Sequence, residues 1–182
     1  MVMSSMSPED VVDDLVDDVE KYPQLRFPIE MSTTTITCET GDMFKIAERD
    51  SLSGWALAHC ISEDCAMGKG IATEFKSRFG GVADLKAQIA GGKKSGSAAV
   101  LRRDGRLVFY LITKRVYHAK PTYATIEGAI EDMASQMVET GVEGCIMPRI
   151  GCGLDRLQWE KVHEIIERIF ADKGLSALVC TL

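Results

Sequence analysis

No stretch of this 182-residue chain approaches the roughly 20 consecutive apolar residues needed to cross a membrane. The opening Met1-Val2-Met3-Ser4-Ser5-Met6-Ser7 lacks both the basic region and the apolar core of a secretory signal. None of the six cysteines (Cys38, Cys60, Cys65, Cys145, Cys152, Cys180) forms a Cys-x-x-Cys, and the three histidines lack ligand spacing. No zinc site is therefore expected. Reduced thiols in a nuclear or cytoplasmic protein that is not secreted are the expectation. No internal repeat is visible. What remains, at 46% hydrophobic residues, suits one globular domain with a full core.

The charge is unevenly placed. Residues 1–30 hold eight acids (Glu9, Asp10, Asp13, Asp14, Asp17, Asp18, Glu20, Glu30) against Lys21 and Arg26, which accounts for the whole net charge of −6. The remaining chain is neutral, so no broad basic face for nucleic acid is expected. Within the acidic extension, Ser7-Pro8-Glu9-Asp10 reads as a helix start. Val12, Leu15 or Val16, Val19 and Tyr22 follow at helical spacing, until Pro23 and Pro28 end the pattern. Such a helix could dock on the domain, bind a partner or stay partly disordered. Residues 31–182 form the domain proper.

Strand and helix patterns alternate from Thr33 onward. Strands are expected over residues 35–39, 55–61, 98–102, 107–112, 145–147 and 177–181. Helices are expected over 70–79, 82–89, 123–140 and 157–172. Arg103-Asp104-Gly105-Arg106 carries the Asp-Gly signature of a hairpin. A hairpin among strand–helix units predicts an α/β fold, its mixed sheet covered by helices on both faces.

Chemistry gathers at two strand-to-helix loops. Pro148-Arg149-Ile150-Gly151-Cys152-Gly153-Leu154-Asp155 joins a short apolar strand to a helical run. Glycines there let an anion approach backbone N–H groups near a helix start, which suits a phosphate or diphosphate, although two glycines also suit a plain tight turn. A carboxylate repels phosphate, so Asp155 either caps the helix with Gln158 as a capping box or acts on something beyond the phosphates. The second loop runs from His59-Cys60-Ile61-Ser62-Glu63-Asp64-Cys65 into Met67-Gly68-Lys69-Gly70-Ile71-Ala72. Adjacent strand residues face opposite ways, which disfavours a His59–Cys60 catalytic pair. Asp42, after the first strand, suits either a turn or a nucleotide amino group. Lys114 ends an apolar strand. There it is either solvated or turned into a cleft as a nucleophile.

Together these segments resemble the macrodomain family, in its terminal ADP-ribose protein glycohydrolase and O-acetyl-ADP-ribose deacetylase branch. The resemblance spans about residues 35–182 and is carried by the two loops, with the second motif starting at Ala58 and the first running from Met147 to Trp159. Gly41-Asp42-Met43-Phe44, Phe79-Gly80-Gly81-Val82, Tyr110-Leu111-Ile112-Thr113-Lys114 and Lys120-Pro121-Thr122-Tyr123 also carry it. It implies a three-layer α/β/α sandwich that binds ADP-ribose at the strand ends without metal or cofactor. Asp42 and Met43 would lie by the adenine, and Arg149, Ile150, Gly151, Cys152, Gly153 and Leu154 would cradle the diphosphate and distal ribose. Ser62, Gly68 and Gly70 would close the other side, and His59, Thr113 and Leu182 complete the implied binding set. Lys114 is the implied nucleophile and Asp155 the acid–base group. The implied partners are ADP-ribose, O-acetyl-ADP-ribose and mono- or terminally ADP-ribosylated proteins, with no membrane. Hydrolytic macrodomains that activate water directly use paired asparagines, and residues 59–72 contain none. A non-catalytic ADP-ribose reader and an ADP-ribose-1″-phosphate phosphatase are the alternative readings of the same pocket. Departures within the branch are confined to 51–55, 116–119 and the acidic extension.

Overall fold

The computed structural model describes residues 34–181; the expected acidic helix and Leu182 lie outside them. Six strands are present: β1 (Ile36–Thr40), β2 (Ala56–Ser62), β3 (Ser97–Arg103), β4 (Arg106–Lys114), β5 (Gly144–Pro148) and β6 (Ser176–Thr181). Five α-helices accompany them: α1 (Met43–Ala47), α2 (Ile71–Phe79), α3 (Val82–Ala90), α4 (Tyr123–Thr140) and α5 (Trp159–Lys173), with one 3-10 turn at Asp50–Leu52. The sheet order is β1-β6-β5-β2-β4-β3. Neighbours pair in parallel except β3, which runs antiparallel to β4 through the expected hairpin. Asp104 and Gly105 both take positive φ there (50° and 77°), as a two-residue hairpin turn of this hand demands.

Helices cover both faces of the sheet, giving three layers. On α4, Ile126, Ala129, Ile130, Met133, Ala134 and Met137 recur at three- and four-residue spacing, and all six are fully buried. They meet Ala58, Phe109 and Leu111 of the sheet and Val162, Ile166 and Phe170 of α5. Each large side chain so buried contributes about 1.5–3 kcal/mol. The helix begins at Thr122, whose hydroxyl accepts the Thr125 N–H while the Thr125 side chain accepts the Thr122 N–H. The opposite face packs Leu57, Ile61, Val108, Tyr110 and Ile112 against α1, Phe75 of α2 and Leu85 of α3. Among the described residues no helix is long and apolar enough to cross a membrane.

The helix α1 is absent from the sequence expectation because five residues are too few to show a helical period. At the other end of the chain, α5 begins at Trp159 rather than at residue 157. Near the start of β5, an added Cβ on Gly144 would lie 2.3 Å from the Trp55 indole. Gly144→Ala is therefore expected to displace Trp55 and lower unfolding stability by about 1–3 kcal/mol, read by chemical denaturation.

Candidate active site

A cleft of about 810 Å3 opens where β1, β5 and β6 end. Its walls come from Gly41, Asp42, Met43 and Phe44, from Gly70, Ile71 and Glu74 at the start of α2, and from Arg149, Cys152, Gly153, Leu157 and Trp159 between β5 and α5. The two glycine-containing loops thus converge, as their positions at strand ends lead one to expect. Because β1, β6, β5 and β2 run parallel, the loops that follow them all emerge at the same end of the strands.

Asp42 combines both roles open to it. It caps α1, its Oδ1 accepting the backbone N–H groups of Phe44 (2.9 Å) and Lys45 (3.4 Å), and it lines the cleft. Cap bonds occupy Oδ1, so Oδ2 is available to a ligand. Met43 is buried beside it. Across the cleft, Gly151 sits at φ 72° with Ile126 and Leu157 side chains 3.1 Å from where a Cβ would be. Both the left-handed backbone and the close packing demand glycine. The loop closes on itself through Leu157 N–H donating to Gly151 O at 2.9 Å. Arg149 lies over the Trp159 ring, 5.5 Å from its centroid, so its charge faces the cleft from a fixed platform. Ile150 is buried beneath the loop, whereas Gly153 and Leu154 are exposed.

Lys114 and Asp155 meet. The Lys114 Nζ donates to Asp155 Oδ1 at 2.5 Å, with side chains only 14% and 13% exposed. The Asp155–Gln158 capping box is not formed: Gln158 is the cap position of α5, makes no side-chain cap bond, and Asp155 is turned to the lysine instead. Nor is Lys114 a solvated strand end. A register shift explains its aim. Cys60 pairs with Leu111 and Ile61 with Ile112, but Ser62 pairs with Lys114. Thr113 is the extra residue, fully buried, with its hydroxyl donating to Ile61 O at 3.4 Å. A one-residue bulge exchanges the faces of everything after it, so Lys114 joins Cys60 and Leu111 on the α4–α5 side, where Asp155 waits.

Cys60 lies beside this pair. Burial and then the Asp155 charge push its thiol up to about 12, so it is a neutral packing group and not a nucleophile. His59 points through the opposite face into the core, as strand alternation requires. It is fully buried, its ring 4.0 Å from that of Phe75, and it is not brought to the cleft. Ser62 is 5% exposed and donates its hydroxyl to Asp64 Oδ1 at 2.5 Å, while Gly68 is exposed on the loop before α2, whose cap Gly70 has φ 59°. The sequence reading missed Asp64 as a hub. It also accepts the N–H groups of Ala66 (3.2 Å) and Tyr117 (2.9 Å). Burial raises its carboxyl, but the Ser62, Tyr117 and Ala66 hydrogen bonds outweigh that and hold it below the usual carboxylate range. Its only sequence signal was position within the Ser62-Glu63-Asp64 turn. Among the described residues, no group of three His, Cys, Asp or Glu side chains could hold a metal ion.

Comparison with known proteins agrees with this architecture. A family profile described as Macro domain matches residues 58–166. The chain is 51% identical over 147 residues to the human protein named ADP-ribose glycohydrolase OARD1, covering 81% of this chain and 91% of that one. The bovine protein of the same name matches to the same extent. Among solved structures, the macrodomain of Mycobacterium tuberculosis DarG superposes with a TM-score of 0.71 at 23% identity, over 82% of this chain and 99% of that chain. Thermosipho africanus DarTG, solved in complex with ADP-ribose, gives 0.67 at 20% identity, over 83% of this chain and 43% of that one. At those identities the two structures speak for the fold alone. The chain belongs to the macrodomain family.

Proposed function

We propose that this protein is a hydrolase that removes ADP-ribose from glutamate and aspartate esters on proteins and also deacetylates O-acetyl-ADP-ribose. The observation that carries the reading is the Lys114–Asp155 pair, 2.5 Å apart and largely buried, with Asp155 two residues beyond the Gly151–Gly153 turn. The human relative's name supports the same substrate class. In this reading the diphosphate rests on the backbone of that loop and on Arg149, and the adenine lies by Asp42 and Met43.

The chemistry follows from the anomeric carbon. A lysine attacks only as the neutral amine, and about 0.04% of an unperturbed lysine is neutral at pH 7. Asp155, already in contact, takes the Lys114 proton as the nitrogen pair bonds to C1″. The C1″–O bond breaks with its electrons on the departing carboxyl oxygen, which takes the proton held by Asp155. This leaves a lysyl-ADP-ribose adduct with an ammonium nitrogen and returns Asp155 to a carboxylate. Water then adds to C1″, Asp155 accepts its proton, and Lys114 departs as an amine. The products are ADP-ribose and a free carboxyl group. Release of both from a glutamyl-ADP-ribosylated protein, followed by mass spectrometry, tests this directly. ADP-ribose bound without turnover of either ester refutes hydrolysis and leaves a reader.

Asp42 offers a further check. Asp42→Ala removes both the α1 cap and the acceptor, and should cost about 1 kcal/mol of stability and about tenfold or more in ADP-ribose affinity. Asp42→Asn keeps an oxygen for the cap but places an amide donor toward the ligand. Calorimetry should therefore find Asp42→Asn weak in binding yet near wild type in thermal stability. Unchanged affinity in both variants removes Asp42 from the adenine site.

A further inference from the structure

Exposed large apolar side chains are few among the described residues, and they are not scattered. Val116 (36% exposed), Tyr117 (64%) and Leu154 (67%) belong to the two segments that leave Lys114 and enter Asp155; only Val138 lies elsewhere. A cluster of this kind beside a reactive pair marks a surface that something covers.

The rim is built. Tyr117 N–H donates to Asp64 Oδ2 at 2.9 Å, which fixes the segment after β4 to the loop after β2. The Lys120 Nζ donates to Leu154 O at 2.9 Å, which ties the same segment to the β5–α5 loop. The Tyr117 ring stands edge-on to the His118 ring, with centroids 5.0 Å apart at 85°. Two loops are thus held together, presenting Tyr117 and Leu154 to solvent. Basic side chains project from this rim, and the acids beside them are already engaged: Glu63, near Arg115, accepts from the Ser95 N–H and hydroxyl, and Asp64, near His118, from Ser62, Ala66 and Tyr117. Residues 115–120 contain Arg115, His118 and Lys120 and no acid.

We infer that this rim docks the polypeptide that carries the ADP-ribosyl ester: an acidic segment with an apolar side chain next to the modified carboxylate. The inference rests on the ester-hydrolase reading of the cleft. Adenine and diphosphate extend from the reactive pair toward Asp42 and the Gly151 loop, so the acyl group and the chain attached to it leave on the other side, across Tyr117 and Leu154. An apolar neighbour covers the tyrosine. Flanking carboxylates face Arg115 and His118.

Calorimetry on the full chain tests this with three probes: free ADP-ribose, ADP-ribose joined by a non-cleavable linker to a short peptide rich in Asp and Glu with one adjacent Leu, and the same conjugate with Asn and Gln replacing the acids. The acidic conjugate should bind wild type about tenfold more tightly than free ADP-ribose, since one covered aromatic side chain suffices for that. The neutral conjugate should gain less, and salt should erode the acidic conjugate's advantage. Val116→Ser with Tyr117→Ser should erase the advantage and leave free ADP-ribose affinity unchanged. Arg115→Ser with His118→Ser should bring the acidic conjugate down to the neutral one. The inference is overturned if wild type shows no gain for the acidic conjugate, or if both double variants retain it. Failure of wild type to bind free ADP-ribose overturns the reading of the cleft itself, and this inference with it.

Discussion

Lys114→Ala is expected to abolish ester cleavage, with no covalent adduct formed, while ADP-ribose still binds at near wild-type affinity. The contrast follows from which atoms meet which part of the ligand. On the proposed reading the diphosphate is held by loop backbone, where Gly151 and its packing on Ile126 and Leu157 are untouched by a change at the end of β4. Only the proposed nucleophile is lost. Asp155→Ala should fail in another way. On the same reading it removes the group that takes the lysine proton and later activates water, so turnover should fall by about 100-fold or more. If some attack persists without the base, intact-mass spectrometry should find protein heavier by one ADP-ribosyl unit. Full activity in Lys114→Ala would falsify the covalent route and leave Asp155 activating water directly. Full activity in Asp155→Ala would strip that residue of any chemical role.

Acidification should destabilise the fold well before most carboxylates titrate, through His59. Its ring is fully buried between Phe75 and Tyr110, and neither ring nitrogen finds a hydrogen-bond partner of good geometry. Burial pushes its pKa down from 6.5 to about 3, with only a weak opposing contribution from the Cys60 backbone. The sign is clear. Between those values the unfolded chain binds a proton that the folded chain refuses, so stability is full above pH 6.5 and falls as pH drops toward 3. Each pH unit in this window costs about 1.4 kcal/mol, so between about 2 and 3 kcal/mol should be lost by pH 4.5. Tyr110, whose hydroxyl burial pushes up to about 12, takes no part in this range. Urea denaturation of wild type and His59→Phe at pH 7 and pH 4.5 reads the effect. A phenyl ring fits the same aromatic stack and cannot titrate, so most of the acid loss should disappear. An equal loss in both proteins would show that His59 is protonated in the fold or that other groups govern acid unfolding.

The alternating apolar pattern was enough to place every strand and four of the helices, because period and length are local properties of a chain. The hairpin was equally plain, since Asp104-Gly105 suits the turn that its neighbours require. The short helix α1 was not. It exists because Asp42 caps it and Met43, Phe44, Ile46 and Ala47 are buried against the sheet, and no window that short shows a period.

The site divides along the same line. Composition, spacing and the resemblance in residues 35–182 determined the family, the two converging glycine loops and the identity of Lys114 and Asp155 as reactive candidates. They also disfavoured a His59–Cys60 pair, since strand alternation alone sends neighbours to opposite faces. The sequence left Asp155 divided between cap and chemistry, and Lys114 between solvent and cleft. Only the tertiary structure shows that Asp155 does not cap α5 and that Lys114 is paired with it and largely buried. The extra Thr113 in the β2–β4 register turns Lys114 to the α4–α5 side, and the β5–α5 loop carries Asp155 to within 2.5 Å of it. A register shift is a relation between two strands some fifty residues apart, and no local pattern in either one encodes it.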